Sequence, residues 1–218
     1  MGEGYPEIPE TAIPEDWEPR GRSEDPLFDA GAVSVTGRTV LYADARVEAA
    51  LAATGAGGLP EPGDADGEGD RLVGIDTIAP FAFATALSFR PPLAPGIGAA
   101  ALLPTILMEA RRSFGADLRS RGFEGIERDR RGRIRTDTGD RARLTNYTAT
   151  YPLGTDAPVD ALRVEGWLAV WTREGAFRVA GGAYPTAGLA DLLASQEGIP
   201  TDPSVFRDAL IDLVRAVR

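Results

Sequence analysis

Glu165, Trp167, Trp171, Arg178 and Tyr184 fall within one short stretch, RVEGWLAVWTREGAFRVAGGAYP (163–185). Two strands joined by a two-residue loop at Glu174-Gly175 would pair these residues across the hairpin. Side chains alternate with period two, so Trp171 faces Arg178, Trp167 faces Gly182 and Glu165 faces Tyr184. An aromatic shelf carrying one cation and one carboxylate can hold an apolar ligand or a protein partner. Arg178 over Trp171 adds a cation–π contact of about 0.5–2 kcal/mol. A second carboxylate beside Glu165 would permit acid–base chemistry. Glu109 is one candidate, provided its helix packs on the tryptophan face, and Asp76 is another. The other face of the hairpin carries Val164, Leu168, Val170 and Val179 and reads as core. The tryptophan face is therefore either a second core or a ligand groove, and the residues leave both open.

Composition removes most other chemistry. The 218 residues hold 33 Asp and Glu against 23 basic residues, all of them arginine, for a net charge of -10. His, Cys and Lys are absent. Without them there is no Ser-His-Asp triad, cysteine nucleophile, zinc finger, P-loop or lysine Schiff base. No cofactor is expected. No run approaches the ~18 apolar residues of a membrane helix. The opening MGEGYPEIPETAIPEDWEPR has neither a basic nor an apolar leader region, so the expected compartment is the cytoplasm. A hydrated carboxylate surface stays soluble in molar salt, where the Debye length of about 3 Å screens its self-repulsion.

Four further motifs carry weaker signals. PGIGAAAL (95–102) has the glycine spacing of a dinucleotide turn, but PPLAP precedes it where a strand should run into the turn. DADGEGD (64–70) resembles half of an EF-hand loop, yet Ile75 stands where a bidentate Glu is required. ERDRRGRIRTDTGDRAR (127–143) holds seven arginines in an acidic protein, without an interleaved aromatic before Tyr147. Phosphate contacts weaken steeply with salt, so nucleic acid is an unlikely partner. The sequon at Asn146 is expected to be idle without export.

The elements that would position these residues follow from periodicity. Residues 1–26 hold five prolines and read as an extended Pro/Glu-rich arm, with Tyr5, Ile8, Ile13 and Trp17 as anchors. Residues 27–218 form a single α+β domain. In it, 32–45 is β-structure turning near Gly37, Arg46 to Thr54 is a short helix, and Phe81 to Phe89 is a strand. Gly98 to Arg121 is the strongest helix, with Ala99, Leu102, Leu103, Ile106, Ala110 and Phe114 on one side. Phe123–Ile126 and Gly132–Thr136 read as a short hairpin, and Arg141 to Tyr151 as a strand. Leu189 to Ala194 and Pro203 to Val217 are helices, the last capped by Asp202.

An amphipathic helix, an antiparallel run (RARLTNYTATYPL, LRVEGWLAVWTREG, AFRVAGGAYP) and a closing helix (FRDALIDLVRAVR) resemble the PsbP/Mog1 type of sandwich over about residues 98–218. The likeness implies a central antiparallel sheet covered by helices on both faces, an α/β/α sandwich, and a small non-enzymatic accessory or binding role. The whole sequence also resembles an uncharacterised haloarchaeal family. The expected function is thus a binding or accessory protein of a halophile. It would engage an unknown protein or a small apolar ligand through Trp167, Trp171, Tyr184, Arg178 and Glu165, or form a homodimer through the arm. A carboxylate-dependent, hydrolase-like enzyme is the alternative.

Overall fold

The computed structural model describes residues 4–30, 33–55, 77–92, 99–154 and 157–218. Its strands are β1 (Trp17–Ala30), β2 (Val33–Asp44), β3 (Phe81–Arg90), β4 (Glu124–Arg135), β5 (Arg141–Pro152), β6 (Ala161–Arg173) and β7 (Ala176–Ala187). Its helices are α1 (Ala45–Ala53), α2 (Ala99–Ser120), α3 (Leu189–Leu192) and α4 (Pro203–Ala216), after a 3-10 turn at Glu10–Ala12. Among the described residues the strands form one seven-stranded sheet in the order β1-β2-β3-β7-β6-β5-β4. Every neighbouring pair is antiparallel.

The expected α/β/α sandwich of PsbP/Mog1 type is not the architecture. The molecule is mostly sheet, and its helices do not build layers. Phe114 of α2 packs beside Gly166 on one face, and Leu210 of α4 packs beside Gly182 on the other. Each is a single helix, α2 lying mainly on β6, β4 and β7 and α4 mainly on β7 and β3. The sheet reaches well beyond both because it is wider than the sequence suggests. Residues 17–30, most of them assigned to the arm, form edge strand β1 despite Pro19 and Pro26. Proline costs an edge strand little, and the pairing with β2 shifts register beside each one. At the other edge, the arginine-rich segment expected to turn back on itself is the single strand β4, again with two register shifts.

Gly37 does not mark a turn. Strand β2 runs straight through it, and a Cβ there would sit 2.7 Å from Leu27 Cδ1 and 3.0 Å from Thr85 Cγ2. The glycine supplies room for packing.

The core follows the two sheet faces. Phe83, Phe114 and Tyr147 stack on the α2 face, with ring centroids 5.8 and 5.1 Å apart in successive pairs. On the α4 face, Ala82, Ala84, Ala180, Ala169 and Gly182 pave the strands beneath the helix. Small residues let α4 approach closely. Asp202 caps α4 by accepting the Ser204 amide at 2.9 Å, as the sequence predicts. Residues 4–16 lie against their own chain. Glu7 and Arg218 exchange backbone hydrogen bonds of 3.3 and 2.8 Å, and the Arg22 guanidinium sits 5.6 Å from the Tyr5 ring centroid.

Candidate functional site

The β6–β7 hairpin has the register read from its turn. Glu174 and Gly175 both take positive φ, 51° and 82°, as a two-residue I′ loop requires. Trp171 pairs with Arg178, Trp167 with Gly182 and Glu165 with Tyr184. Gly182 is bare because β3 and α4 press on it: a Cβ would meet the Phe81 carbonyl oxygen and lie 2.8 Å from Leu210 Cδ1.

These five residues then divide. Trp171 is 0% exposed and belongs to the core. Its indole N–H is buried without a hydrogen-bond partner, an arrangement that costs about 1–3 kcal/mol and that a wholly apolar ring would avoid. Tyr184 is also buried, whereas Trp167 and Glu165 are half-buried. Trp167 Nε1 donates to the Tyr184 hydroxyl at 3.3 Å, and that hydroxyl donates to Glu165 at 2.6 Å. Asn146 Nδ2 donates to the other Glu165 oxygen at 2.7 Å and to the Gly166 carbonyl at 3.3 Å. Burial raises the Tyr184 pKa, and its bond to the Glu165 carboxylate raises it further, because both favour the protonated phenol. The clasp joins β5, β6 and β7 and uses its polar atoms on one another. It reads as structure. Asn146 was noticed only as a sequon; its alignment opposite Trp167 in the β5–β6 register is the feature that would have placed it here.

Glu165 and Glu109 do not form a carboxylate pair. Glu165 points to the α4 face, where it meets Tyr184 and Asn146. Glu109 belongs to α2 on the opposite face and pairs with Arg112 at 2.9 Å. The sheet separates them. Asp76, the acidic loop 64–70 and the glycines of PGIG lie outside the described residues. Among the described residues the strand before α2 is β3, which is antiparallel to both neighbours, unlike the parallel unit of a dinucleotide fold. Among the described residues no group of three metal-ligating side chains assembles.

Arg178 belongs to a different feature. A cavity of about 780 Å³ opens between the N-terminal segment, the tip of the β6–β7 hairpin and Arg218. Tyr5, Glu7, Arg38, Ala86, Arg173 and Arg178 are among its lining residues. Strand register explains the placement. Glu24, Arg38, Ala86, Arg178 and Trp171 form one row across five strands on the α4 face. Ala86 is the floor, with a guanidinium to either side. Arg38 pairs with Glu24 at 3.1 Å. Arg173 has looser contacts, 3.6 Å to Asp140 and 3.7 Å to Glu174. Arg178 is half-buried and, among the described residues, donates to main-chain oxygens alone, those of Arg218 and Phe177, both at 3.3 Å. Burial lowers its pKa, and the nearby Arg173 charge lowers it further against the pull of Glu174. Arg38 and Arg173 were not singled out from sequence, and Tyr5 only as an anchor of the arm. Arg38 was hidden by the reading of Gly37 as a turn, which broke the row to which it belongs.

The chain belongs to the family described as a domain of unknown function, DUF6517, which matches residues 5–218. No curated protein matches it, and no solved structure does. The likeness to PsbP/Mog1 sandwiches finds no support there. No helix among the described residues is long and apolar enough to cross a membrane.

Proposed function

We propose that this protein is a small non-enzymatic binding protein that takes a small ligand into the cavity beneath its N-terminal segment. One observation carries the reading. Arg178, half-buried in a chain with 33 acidic residues, lines a cavity of about 780 Å³ and has no ion-pair partner among the described residues. Such a volume suits a metabolite-sized molecule, since ligand sites typically span about 300–1,000 Å³. Of the five residues proposed from sequence, Arg178 thus faces the ligand. Trp171 backs it in the register, and Glu165, Tyr184 and Trp167 brace the strands. The ligand is polar at one end, and a purely apolar molecule suits the arginines poorly. The acidic, lysine-free composition supports a halophilic setting.

A melting-temperature screen of small molecules against the wild type and Ala86→Trp tests the cavity. The indole would fill the floor between Arg38 and Arg178. Compounds are expected to stabilise the wild type and not the variant. Ser88→Trp, one row away, serves if the first variant fails to fold. A screen whose hits act equally on both chains, or one without hits, removes the proposal.

A further inference from the structure

The inference rests on the cavity reading above and names the chemistry of its occupant. We infer that the ligand carries a carboxylate or phosphate group seated between Arg173 and Arg178.

Arg173 stands opposite Ala176 in the hairpin, and Arg178 opposite Trp171. The two arginines are therefore diagonal neighbours on one face, about 7–8 Å apart at the backbone. Side chains of that length converge easily on one oxyanion. Two guanidiniums held this close repel each other. Ordinarily a folded acidic protein would place a carboxylate between them. Here Arg178 Nε and Nη1 go to carbonyls, which leaves Nη2 uncommitted. The carboxylates beside Arg173 stand at 3.6 and 3.7 Å, beyond hydrogen-bond length, and one of them, Glu174, is 84% exposed. An anion reaching both arginines would gain the short charge-assisted bonds that neither now has.

The other groups around the cavity decide the rest of the ligand. Arg38 is already neutralised by Glu24, so the far wall offers a closed ion pair and not a second anion seat. Glu7 lies on the N-terminal wall and disfavours a second negative charge there. Ala86 and the Tyr5 ring offer small apolar area between. The occupant is thus an acid with one anionic head and a compact, largely uncharged body. A seat that is half-buried also suits molar salt, because screening acts far less on partly buried pairs than on surface ones.

The test follows the arginine Nε–H signals by ¹H–¹⁵N NMR at constant KCl, with inorganic phosphate, acetate and acetamide as probes. Phosphate or acetate is expected to shift the Arg178 and Arg173 signals saturably, while acetamide, the neutral counterpart of acetate, does not. The stronger of the two anions identifies the head group. Arg178→Met is expected to weaken that anion by roughly ten- to a hundred-fold with the fold retained, and Arg178→Lys by less. Should Arg178→Met unfold, Arg173→Met carries the same expectation. Anions that shift these signals no more than acetamide overturn the inference. If uncharged compounds then still depend on Ala86 in the melting screen, the cavity stands and its occupant is neutral. Shifts that persist in Ala86→Trp place the anion on the open surface and remove both readings.

Discussion

Trp171 and Arg178 face each other across the β6–β7 hairpin, and they lie on opposite sides of the boundary between core and site. The tryptophan is fully buried, while the arginine reaches a cavity. One row of one sheet face thus supplies structure at one strand and a binding group at the next. The two tryptophans, four residues apart on the same strand, differ for the same reason. Trp171 lies under the core, and Trp167 lies at its margin.

Truncating them separates these roles. Trp171→Ala should cost about 3–5 kcal/mol, as for other large buried aromatics. Trp167→Ala should cost clearly less, since part of its surface already meets solvent. Denaturant unfolding of both variants under one salt condition measures this. Equal losses would contradict the assignment.

The Glu165–Tyr184 bond predicts a coupling. A double-mutant cycle with Glu165→Gln and Tyr184→Phe should give an interaction energy within about 0.5–3 kcal/mol, the range for residues sharing a buried network. Additive losses would mean that the 2.6 Å bond contributes nothing.

Alkaline pH should loosen the fold. Burial pushes the Tyr147 pKa up to about 12 from 10.0, and that of Tyr184 is raised as well. Both groups bind their proton more tightly folded than unfolded. Their contribution is therefore complete below pH 10 and is lost as pH rises through the folded values. Unfolding free energy measured from neutral pH to about pH 12 should fall above pH 10 in the wild type. Tyr147→Phe should flatten that decline.

Salt should act in the opposite direction. Moving from about 0.1 M to about 3 M KCl shortens the Debye length from about 10 Å to below about 3 Å. A chain of net charge -10 is then expected to melt at a clearly higher temperature. Equal melting temperatures would remove the halophile reading.

Close backbone approach at Gly182 makes the last prediction. Gly182→Ala should destabilise by about 1–3 kcal/mol, as overpacking does, because the new methyl meets the Phe81 carbonyl and Leu210. A neutral outcome in thermal unfolding would show that both β3 and α4 can shift to accommodate it.

The hairpin was legible because every local cue agreed: turn residues, alternation, and glycine opposite tryptophan. The helices were legible from apolar spacing and from Asp202. The edge strands were not. Pro19 and Pro26 read as an extended arm, and seven arginines read as a charged hairpin, because edge positions tolerate what central strands reject. Gly37 was misread because a glycine needed for space and one needed for a turn look alike in sequence. The cavity was illegible for a related reason: its row joins β2, β3 and β7, strands distant in the chain.

Glu7 and Arg218 hold hands through their backbones at the mouth of that cavity. Its walls therefore come from segments far apart in sequence, around Tyr5, Arg38, Ala86, Arg178 and Arg218, which only the assembled sheet brings together. Binding would begin only once all of them are in place, so ligand affinity would serve as a readout of complete folding.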